Sequence, residues 1–217
     1  MQGDALVIDE EHVVAAGSLL EVLLPRAVNV EGVDILTIGG ESGAGKSEIA
    51  FVLSRLLREE GVANVIVQQD DFFRLPPASN TQKRKEDLTW VGPGEVRLDL
   101  LDGLLREILG GAPSIAKPLV FFQENRIGSE TIDLRGIRVV IVEGTYTALL
   151  ENTHTRIFID RTHDDQRVIG ARRRRGRDIQ DSHLLQVLGI EHAIIREHKA
   201  LADIVITPDY AVEVIHG

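Results

Sequence analysis

The segment from Gly40 to Ser47 is the part of this sequence whose residue types and spacing most clearly imply chemistry. It reads GESGAGKS and matches the pattern GxxxxGK[ST] at every fixed position. Glycines let such a loop curl so that its backbone amides converge on phosphate oxygens, and the helix N-terminus that follows also favours anions. Lys46 can reach the β- and γ-phosphates of a nucleotide, and Ser47 can ligate Mg²⁺. We therefore predict an ATP-binding loop made of Gly40, Glu41, Ser42, Gly43, Ala44, Gly45, Lys46 and Ser47.

Acidic residues follow two predicted strands further along the chain. Asp70 and Asp71 come after the apolar strand Val65–Val67, and Glu143 ends another apolar run. Because ligands of an open α/β sheet bind at the carboxyl ends of the strands, we expect these carboxylates near the phosphate-binding loop. There, Asp70 can orient and deprotonate an acceptor hydroxyl, and Ser47, Glu143 and Asp70 can hold Mg²⁺. The alternatives are a solvated turn or a helix cap for the aspartates and a solvated strand end for Glu143.

A dense basic run, RRRRGR, occupies residues 172–177. Arginine pairs bidentately with phosphate and stays charged, so a run on a mobile lid can neutralise the charge that develops in phosphoryl transfer. Gly176 can act as the hinge of such a lid, which we expect at about residues 161–182. A solvated basic helix face and a nucleic-acid contact are the alternatives.

Strands alternate with helices along the chain, which predicts a mostly parallel sheet with right-handed crossovers. A helix is expected from Glu10 to about Leu24, ended by Pro25, and the polar stretch 74–94 is expected to be a surface loop with one helical turn. The other expected helices are 48–60, 98–109, 164–174 and 184–199, and the expected strands are 33–38, 65–67, 138–142, 156–159, 204–206 and 211–215, with a hairpin of 118–122 and 131–134. The predicted fold class is α/β: a three-layer α/β/α P-loop NTPase fold with a mostly parallel central sheet, a small hairpin insertion and an arginine-rich lid.

Composition limits the classes of protein to which the chain can belong. Its 217 residues suit a single domain spanning 1–217, and 43% hydrophobic residues supply a buried core. A net charge of −10 disfavours a general nucleic-acid binder, and the lack of cysteine excludes disulfides and thiolate catalysis. No signal peptide and no apolar run long enough to span a bilayer is visible, so we expect a cytoplasmic protein that binds neither nucleic acid nor membrane.

Taken together, these segments resemble the uridine kinase and phosphoribulokinase family of P-loop kinases. GESGAGKS, QDDFFR, VVIVEGTY and RRRRGRD occur in the family's order, LADIVI is similar to its closing strand, and the resemblance runs from Ile35 to about Pro208. It implies transfer of the ATP γ-phosphate to a small-molecule hydroxyl acceptor, with Asp70 as the general base and Glu143 as a Mg²⁺-linked carboxylate. It also implies a homo-oligomer.

The same resemblance gives roles to the basic run. Arg172, Arg173, Arg175 and Arg177 match the lid segment that contacts nucleotide phosphates and helps to bind the acceptor. On this basis Arg172 and Arg173 are predicted to bind the nucleotide, and Arg175 and Arg177 are predicted to be catalytic.

Two departures from the family pattern concern the acceptor. Where uridine kinases carry a PTYDF-like stretch followed by a His, this chain has Pro118–Phe122 and Asn125, and Val91–Gly94 replaces a DHPD-like segment that helps to hold ribose. A site without these polar groups should discriminate poorly for uridine. The acceptor can therefore be a nucleoside or, alternatively, a sugar, a sugar phosphate or a vitamin precursor. An ATP-binding regulatory switch is the alternative of another class.

Overall fold

The computed structural model describes residues 6–162, 165 and 181–216. Most of the predicted lid, all of the predicted helix 164–174 except residue 165, and the four arginines Arg172, Arg173, Arg175 and Arg177 lie outside the described residues.

A six-stranded sheet forms the centre of the described structure. In chain order the strands are β1 (Asp34–Gly40), β2 (Asn64–Gln68), β3 (Ser114–Phe121), β4 (Arg126–Asp133), β5 (Val139–Glu143), β6 (Thr155–Ile159), β7 (Ile204–Ile206) and β8 (Val212–Val214). The sheet order is β2-β5-β1-β6-β7-β8, with β8 antiparallel to β7 and the other neighbours parallel, and β3 and β4 form a separate antiparallel hairpin. The predicted mostly parallel sheet and hairpin insertion are confirmed.

Five α-helices connect or flank these strands within the described residues: α1 (Glu10–Asn29), α2 (Lys46–Glu59), α3 (Pro77–Glu86), α4 (Leu98–Leu109) and α5 (Ser182–Ile195). The expectation that Pro25 ends the first helix is wrong, because α1 includes Pro25 and continues to Asn29. Leu23 and Ala27, on either side of Pro25, are both buried in the core, so packing favours continuation of the helix although proline cannot donate a backbone hydrogen bond.

The expectation of a surface loop for residues 74–94 is also wrong. This stretch contains α3 and two short 3₁₀ helices, Leu88–Trp90 and Pro93–Glu95. Pro77 starts α3 at a position where its missing amide hydrogen costs nothing. The sequence of α3 has no apolar periodicity from which a helix could be predicted. Polar contacts that Asn80 and Arg84 make with Glu95 hold this helix in place instead.

Two apolar clusters cover the two faces of the sheet. On one face α1 and α2 pack against strand residues such as Leu36 and Ile38. On the other, α4 and β3 pack against residues such as Val140 and Val142. Strands buried on both faces read as continuous apolar runs, as β5 does. The three layers of the predicted α/β/α fold are therefore present, and the sheet directs the carboxyl ends of β1, β2 and β5 toward one edge.

Candidate active site

The phosphate-binding loop lies between the end of β1 and the start of α2, as the sequence predicts. Gly45 immediately precedes α2 with a φ of +99°, a left-handed conformation that favours glycine. A Cβ atom at this position would lie 2.8 Å from His12 Nε2, so side-chain packing also requires glycine here. Lys46 is buried, and its Nζ donates to the carbonyl oxygen of Glu41 at 2.9 Å. The loop is thus folded back on itself at the N-terminus of a helix, which is the geometry that binds phosphate.

Ser47 and Glu143 lie in direct contact at the ends of neighbouring elements. Ser47 Oγ donates to Glu143 Oε1 at 3.1 Å, and Gln68 Nε2 donates to the same oxygen at 3.1 Å. Burial, and next the negative charge of Asp70, raise the pKa of Glu143 to about 7, while Lys46 acts in the opposite direction. A hydroxyl and two nearby carboxylates are the oxygen donors that Mg²⁺ prefers, so these residues fit that ion.

One cavity of about 240 Å³ joins the loop to the predicted carboxylates. Its lining includes Lys46 and Ser47 at the start of α2, Asp70 in a short 3₁₀ helix (Gln69–Phe72) after β2, and Glu143 at the end of β5. Ser42 and Gly43 of the loop also line it. The remaining lining residues are Phe73, Leu75, Pro77, Asn80, Arg84, Val120, Phe122, Thr145 and Glu191. The structure therefore brings the predicted base, the lysine and the predicted metal ligands around one space.

Asp70 and Asp71 are adjacent in sequence but have different surroundings. Asp70 lines the cavity, whereas Asp71 is buried beneath the β3–β4 hairpin. Asp71 Oδ2 lies 2.5 Å from Lys117 Nζ, and Asp71 Oδ1 accepts from the backbone amide of Val120 at 2.9 Å. Asp71 therefore anchors the hairpin to the strand end that carries Asp70.

Gly144 allows two backbone segments to approach each other beside the cavity. A Cβ atom on Gly144 would lie 2.3 Å from Gln69 Cβ, a distance that real atoms do not adopt. Gln69 Oε1 accepts from the amide of Tyr146 at 2.7 Å, which ties the β5 turn to the residue before Asp70.

A polar group that sequence reasoning missed forms another wall of the cavity. We call Asn80, Arg84, Glu95 and Glu191 the Arg84 network. Arg84 donates through Nε and Nη2 to both oxygens of Glu95, at 2.6 and 2.9 Å, and through Nη2 to Glu191 Oε1 at 3.0 Å. Asn80 Nδ2 and the amide of Gly92 complete the coordination of Glu95, at 2.6 and 2.8 Å. No local sequence pattern indicates this network, because Arg84 and Glu191 are 107 residues apart.

Helix α5 also contacts the phosphate-binding loop. His192 Nδ1 lies 2.6 Å from Glu41 Oε1. The preceding residue on the same helix, Glu191, lines the cavity.

Among the described residues no group of three or more His, Asp or Glu side chains is arranged to hold a metal ion by itself.

A second contact to the loop comes from α1, through what we call the His12 cluster: His12, Arg161 and Tyr210. His12 is buried against Gly45, accepts from the amide of Asp9 at Nδ1 (3.0 Å) and lies 3.2 Å from the Tyr210 hydroxyl at Nε2. The guanidinium of Arg161 lies over the Tyr210 ring at 4.6 Å from its centroid. Burial lowers the pKa of His12, so the neutral imidazole is favoured.

In the part of the chain that the structure describes, no helix has the length and apolar character needed to cross a bilayer.

Comparison with known proteins agrees with this geometry. The sequence pattern of the Phosphoribulokinase / Uridine kinase family matches residues 35–209. A uridine kinase of Leuconostoc citreum is 25% identical over 183 residues, which cover 79% of this chain and 86% of that protein. Helix α1 lies before the matched segment.

Solved structures share the fold. A possible uridine kinase from Bacillus stearothermophilus superposes with a TM-score of 0.65 at 18% identity, over 88% of this chain and 97% of that one. D-glycerate 3-kinase from Cryptococcus neoformans superposes with a TM-score of 0.66 at 14% identity, over 95% of this chain and 100% of that one. With the family match over most of the chain, these findings show that the chain belongs to the phosphoribulokinase / uridine kinase family and is an ATP-dependent phosphotransferase with an alcohol group as acceptor.

Proposed function

We propose that this chain transfers the γ-phosphate of ATP to a hydroxyl group of a small molecule, with Asp70 as the catalytic base. The observation that carries the proposal is the shared cavity, which Lys46, Ser47, Asp70 and Glu143 all line. In-line transfer requires the acceptor oxygen and the γ-phosphorus to meet in one space from which water is excluded. A carboxylate and a phosphate-binding lysine on the walls of the same cavity satisfy that requirement.

Each residue then has a separate task. The amides of the loop bind the phosphate chain, and Lys46 stabilises the charge that develops on the transferred group. The Asp70 carboxylate accepts the proton of the acceptor hydroxyl as the new oxygen–phosphorus bond forms and the bond to ADP breaks. Ser47 and Glu143 would hold Mg²⁺, with Asp70 close by. When bound, Mg²⁺ neutralises charge on the phosphate oxygens. The four arginines of the predicted lid stay a prediction, because they lie outside the described residues.

The hairpin turn argues against a uridine-specific acceptor site. The side chain of Asn125, at the position where uridine kinases carry a His, accepts from the amide of Ala78 at 2.8 Å and donates to Ser79 at 3.3 Å. It is thus used to join the hairpin to α3. Gly92 and Gly94, in the segment that replaces the ribose-holding motif, have no side chain with which to bind hydroxyls. We infer an acceptor outside the nucleosides, such as a sugar or a vitamin precursor.

A coupled assay of ADP release with ATP and Mg²⁺ tests the proposal. Nucleosides, sugars, sugar phosphates and vitamin precursors are compared, with Asp70→Asn as the inactive control for each. We expect acceptor-dependent ADP release that the variant lacks. Slow ADP release that no acceptor stimulates would favour an ATP-binding switch over a kinase. A clear preference for uridine would show that the interpretation of the hairpin turn is wrong.

A further inference from the structure

Glu191 lines the cavity but has no task in the phosphotransfer mechanism. Its side chain is only 9% exposed, and it is among the residues that line the cavity. One oxygen, Oε1, accepts from Arg84 Nη2 at 3.0 Å. The other oxygen, Oε2, has no hydrogen bond to any residue that the structure describes. This oxygen is not one of the fully buried unsatisfied atoms, so it is accessible and can accept a hydrogen bond from a ligand or from water.

Arg84 has a hydrogen-bond donor that the described residues do not use. Its Nε and Nη2 groups are used by Glu95 and Glu191, whereas Nη1 donates to none of the described residues. Arg84 also lines the cavity, with its side chain 18% exposed. Glu95 holds this guanidinium in one orientation, since it accepts two hydrogen bonds from it and is itself fully buried. The wall therefore offers an acceptor oxygen and an N–H donor at fixed positions.

The charges of this wall do not balance. One guanidinium faces two carboxylates, Glu95 and Glu191, so the wall has a surplus negative charge when both are ionised. Burial, above all other causes, raises the pKa of Glu191, and Glu95 raises it further, while Arg84 and Lys46 act in the opposite direction. A second anion brought to this wall would add repulsion in a region of low dielectric. An uncharged group that both donates and accepts hydrogen bonds would meet no such penalty.

We propose that Glu191 and Arg84 bind the acceptor, and that the acceptor is an uncharged, hydroxyl-rich molecule, a free sugar or polyol, rather than a phosphorylated or carboxylated one. The inference rests on the proposed kinase function and specifies its substrate class. A hydroxyl donates to Glu191 Oε2 and accepts from Arg84 Nη1, which a phosphate or carboxylate cannot do, because neither donates when ionised. With Asp70 on the same cavity, one hydroxyl of such a molecule is available for transfer while others are held by this wall.

The experiment measures ADP release with matched pairs of acceptors. D-ribose, D-fructose and D-sorbitol are each compared with their terminal phosphate monoester, and D-glycerate and uridine are included as a carboxylate and a nucleoside. We expect kcat/KM for at least one free sugar or polyol to exceed that of its phosphate ester by about tenfold or more. The same free compound should also exceed D-glycerate and uridine.

Glu191→Gln supplies the decisive variant, because it removes the charge and keeps the shape of the side chain. We expect it to raise KM for the free sugar while KM for ATP stays the same, and to reduce the discrimination against the phosphate ester. Glu197→Gln is the matched control, since Glu197 lies just after the same helix with a side chain that is 73% exposed. A thermal melt of each variant establishes that it is folded. A residue with a purely structural role would not change the ratio between sugar and ester.

The outcomes separate this inference from the proposed function. A preference for phosphate esters, D-glycerate or uridine would overturn the assignment of the acceptor class and leave the kinase reaction in place. Unchanged discrimination in a folded Glu191→Gln variant would overturn the role of Glu191. If none of these acceptors stimulated ADP release, the assignment of a free sugar or polyol would be overturned, whereas the kinase proposal would fail only if the other nucleosides and the vitamin precursors gave no stimulation either.

Discussion

The two ends of the active-site cavity are built in different ways. At one end, residues 40–47 form a continuous loop that we propose to bind phosphate through backbone amides and one lysine, and Ser42, Gly43, Lys46 and Ser47 of this loop line the cavity. At the other, the Arg84 network combines side chains from α3, a 3₁₀ helix and α5. Backbone recognition tolerates little change in residue type, because only certain residues permit the loop conformation. Side-chain recognition can change one residue at a time and thereby change the acceptor.

The comparison predicts where substitutions act. A change at the phosphate-loop end should impair the reaction with every acceptor, since all of them share ATP. A change in the Arg84 network should alter stability or the choice between acceptors, since it leaves the donor site intact. The predictions that follow test this division.

The largest effect is expected from Asp70→Asn. Asparagine cannot accept the proton of the acceptor hydroxyl, so kcat should fall by about 10²- to 10⁴-fold. The affinity for ATP, measured by equilibrium titration with a fluorescent analogue, should change little. Asp71→Asn is the matched control at the adjacent position: it removes a buried ion pair with Lys117 and should mainly lower the melting temperature. Unchanged turnover in folded Asp70→Asn would remove Asp70 from the mechanism.

Lys46→Ala should have the next largest effect. The variant loses the cation that faces the β- and γ-phosphates, so kcat/KM for ATP should fall by about 10²- to 10³-fold with every acceptor. The measurement is steady-state kinetics with ATP varied at saturating acceptor. Lys199→Ala is a control on a lysine that pairs with Asp160 outside the cavity lining, and it should retain normal kinetics. Kinetics like those of the unaltered protein in Lys46→Ala would contradict the assignment of the loop.

The same division explains what could be predicted from the sequence. The loop, Asp70 and Glu143 follow strands in short segments, and the placement of ligands at the ends of parallel strands brings them together. Helix α3 could not be predicted, because its stability comes from polar contacts that Asn80 and Arg84 make with Glu95 rather than from an apolar stripe. Patterns along one segment contain no information about which distant carboxylate a guanidinium will meet.

Helix α1 shows a different limit. Its apolar spacing predicts a helix, but Pro25 led to a predicted end that is too early, since α1 continues to Asn29 with Leu23 and Ala27 buried on either side of the proline. Nothing in the spacing predicts that His12 will contact Gly45 of the loop. That contact depends on the packing of α1 beside α2, which only the folded chain defines.

Glu95→Gln tests the stability of the acceptor end. Glu95 is fully buried and accepts from Arg84, Asn80 and Gly92, so the loss of its charge leaves a guanidinium with incomplete compensation. We expect a loss of about 3 kcal/mol in the free energy of unfolding, measured by urea denaturation. Glu86→Gln, an exposed position at the end of α3, should change it by less than about 0.5 kcal/mol. Equal effects of the two substitutions would show that the Arg84 network does not stabilise the fold.

The smallest effect is expected at His12, where α1 meets the loop. Burial lowers the pKa of His12 below 6.5 in the folded chain, with Glu48, Asp9 and Glu11 opposing the shift and Arg161 reinforcing it. The unfolded chain therefore binds a proton first as the pH falls, so the stability that His12 contributes is complete above 6.5 and is lost below it. Thermal melts of the unaltered chain and of His12→Gln between about pH 8 and about pH 5 measure this.

Because glutamine does not titrate, the difference in melting temperature between the two proteins should shrink or reverse toward acid pH. His198 is buried with a lowered pKa in both proteins, so its contribution cancels in the comparison. A constant difference across the pH range would show that protonation of His12 is not linked to folding. If His12→Gln also raised KM for ATP by a few-fold while KM for the acceptor stayed the same, the contact between His12 and Gly45 would be shown to support the phosphate end of the cavity alone.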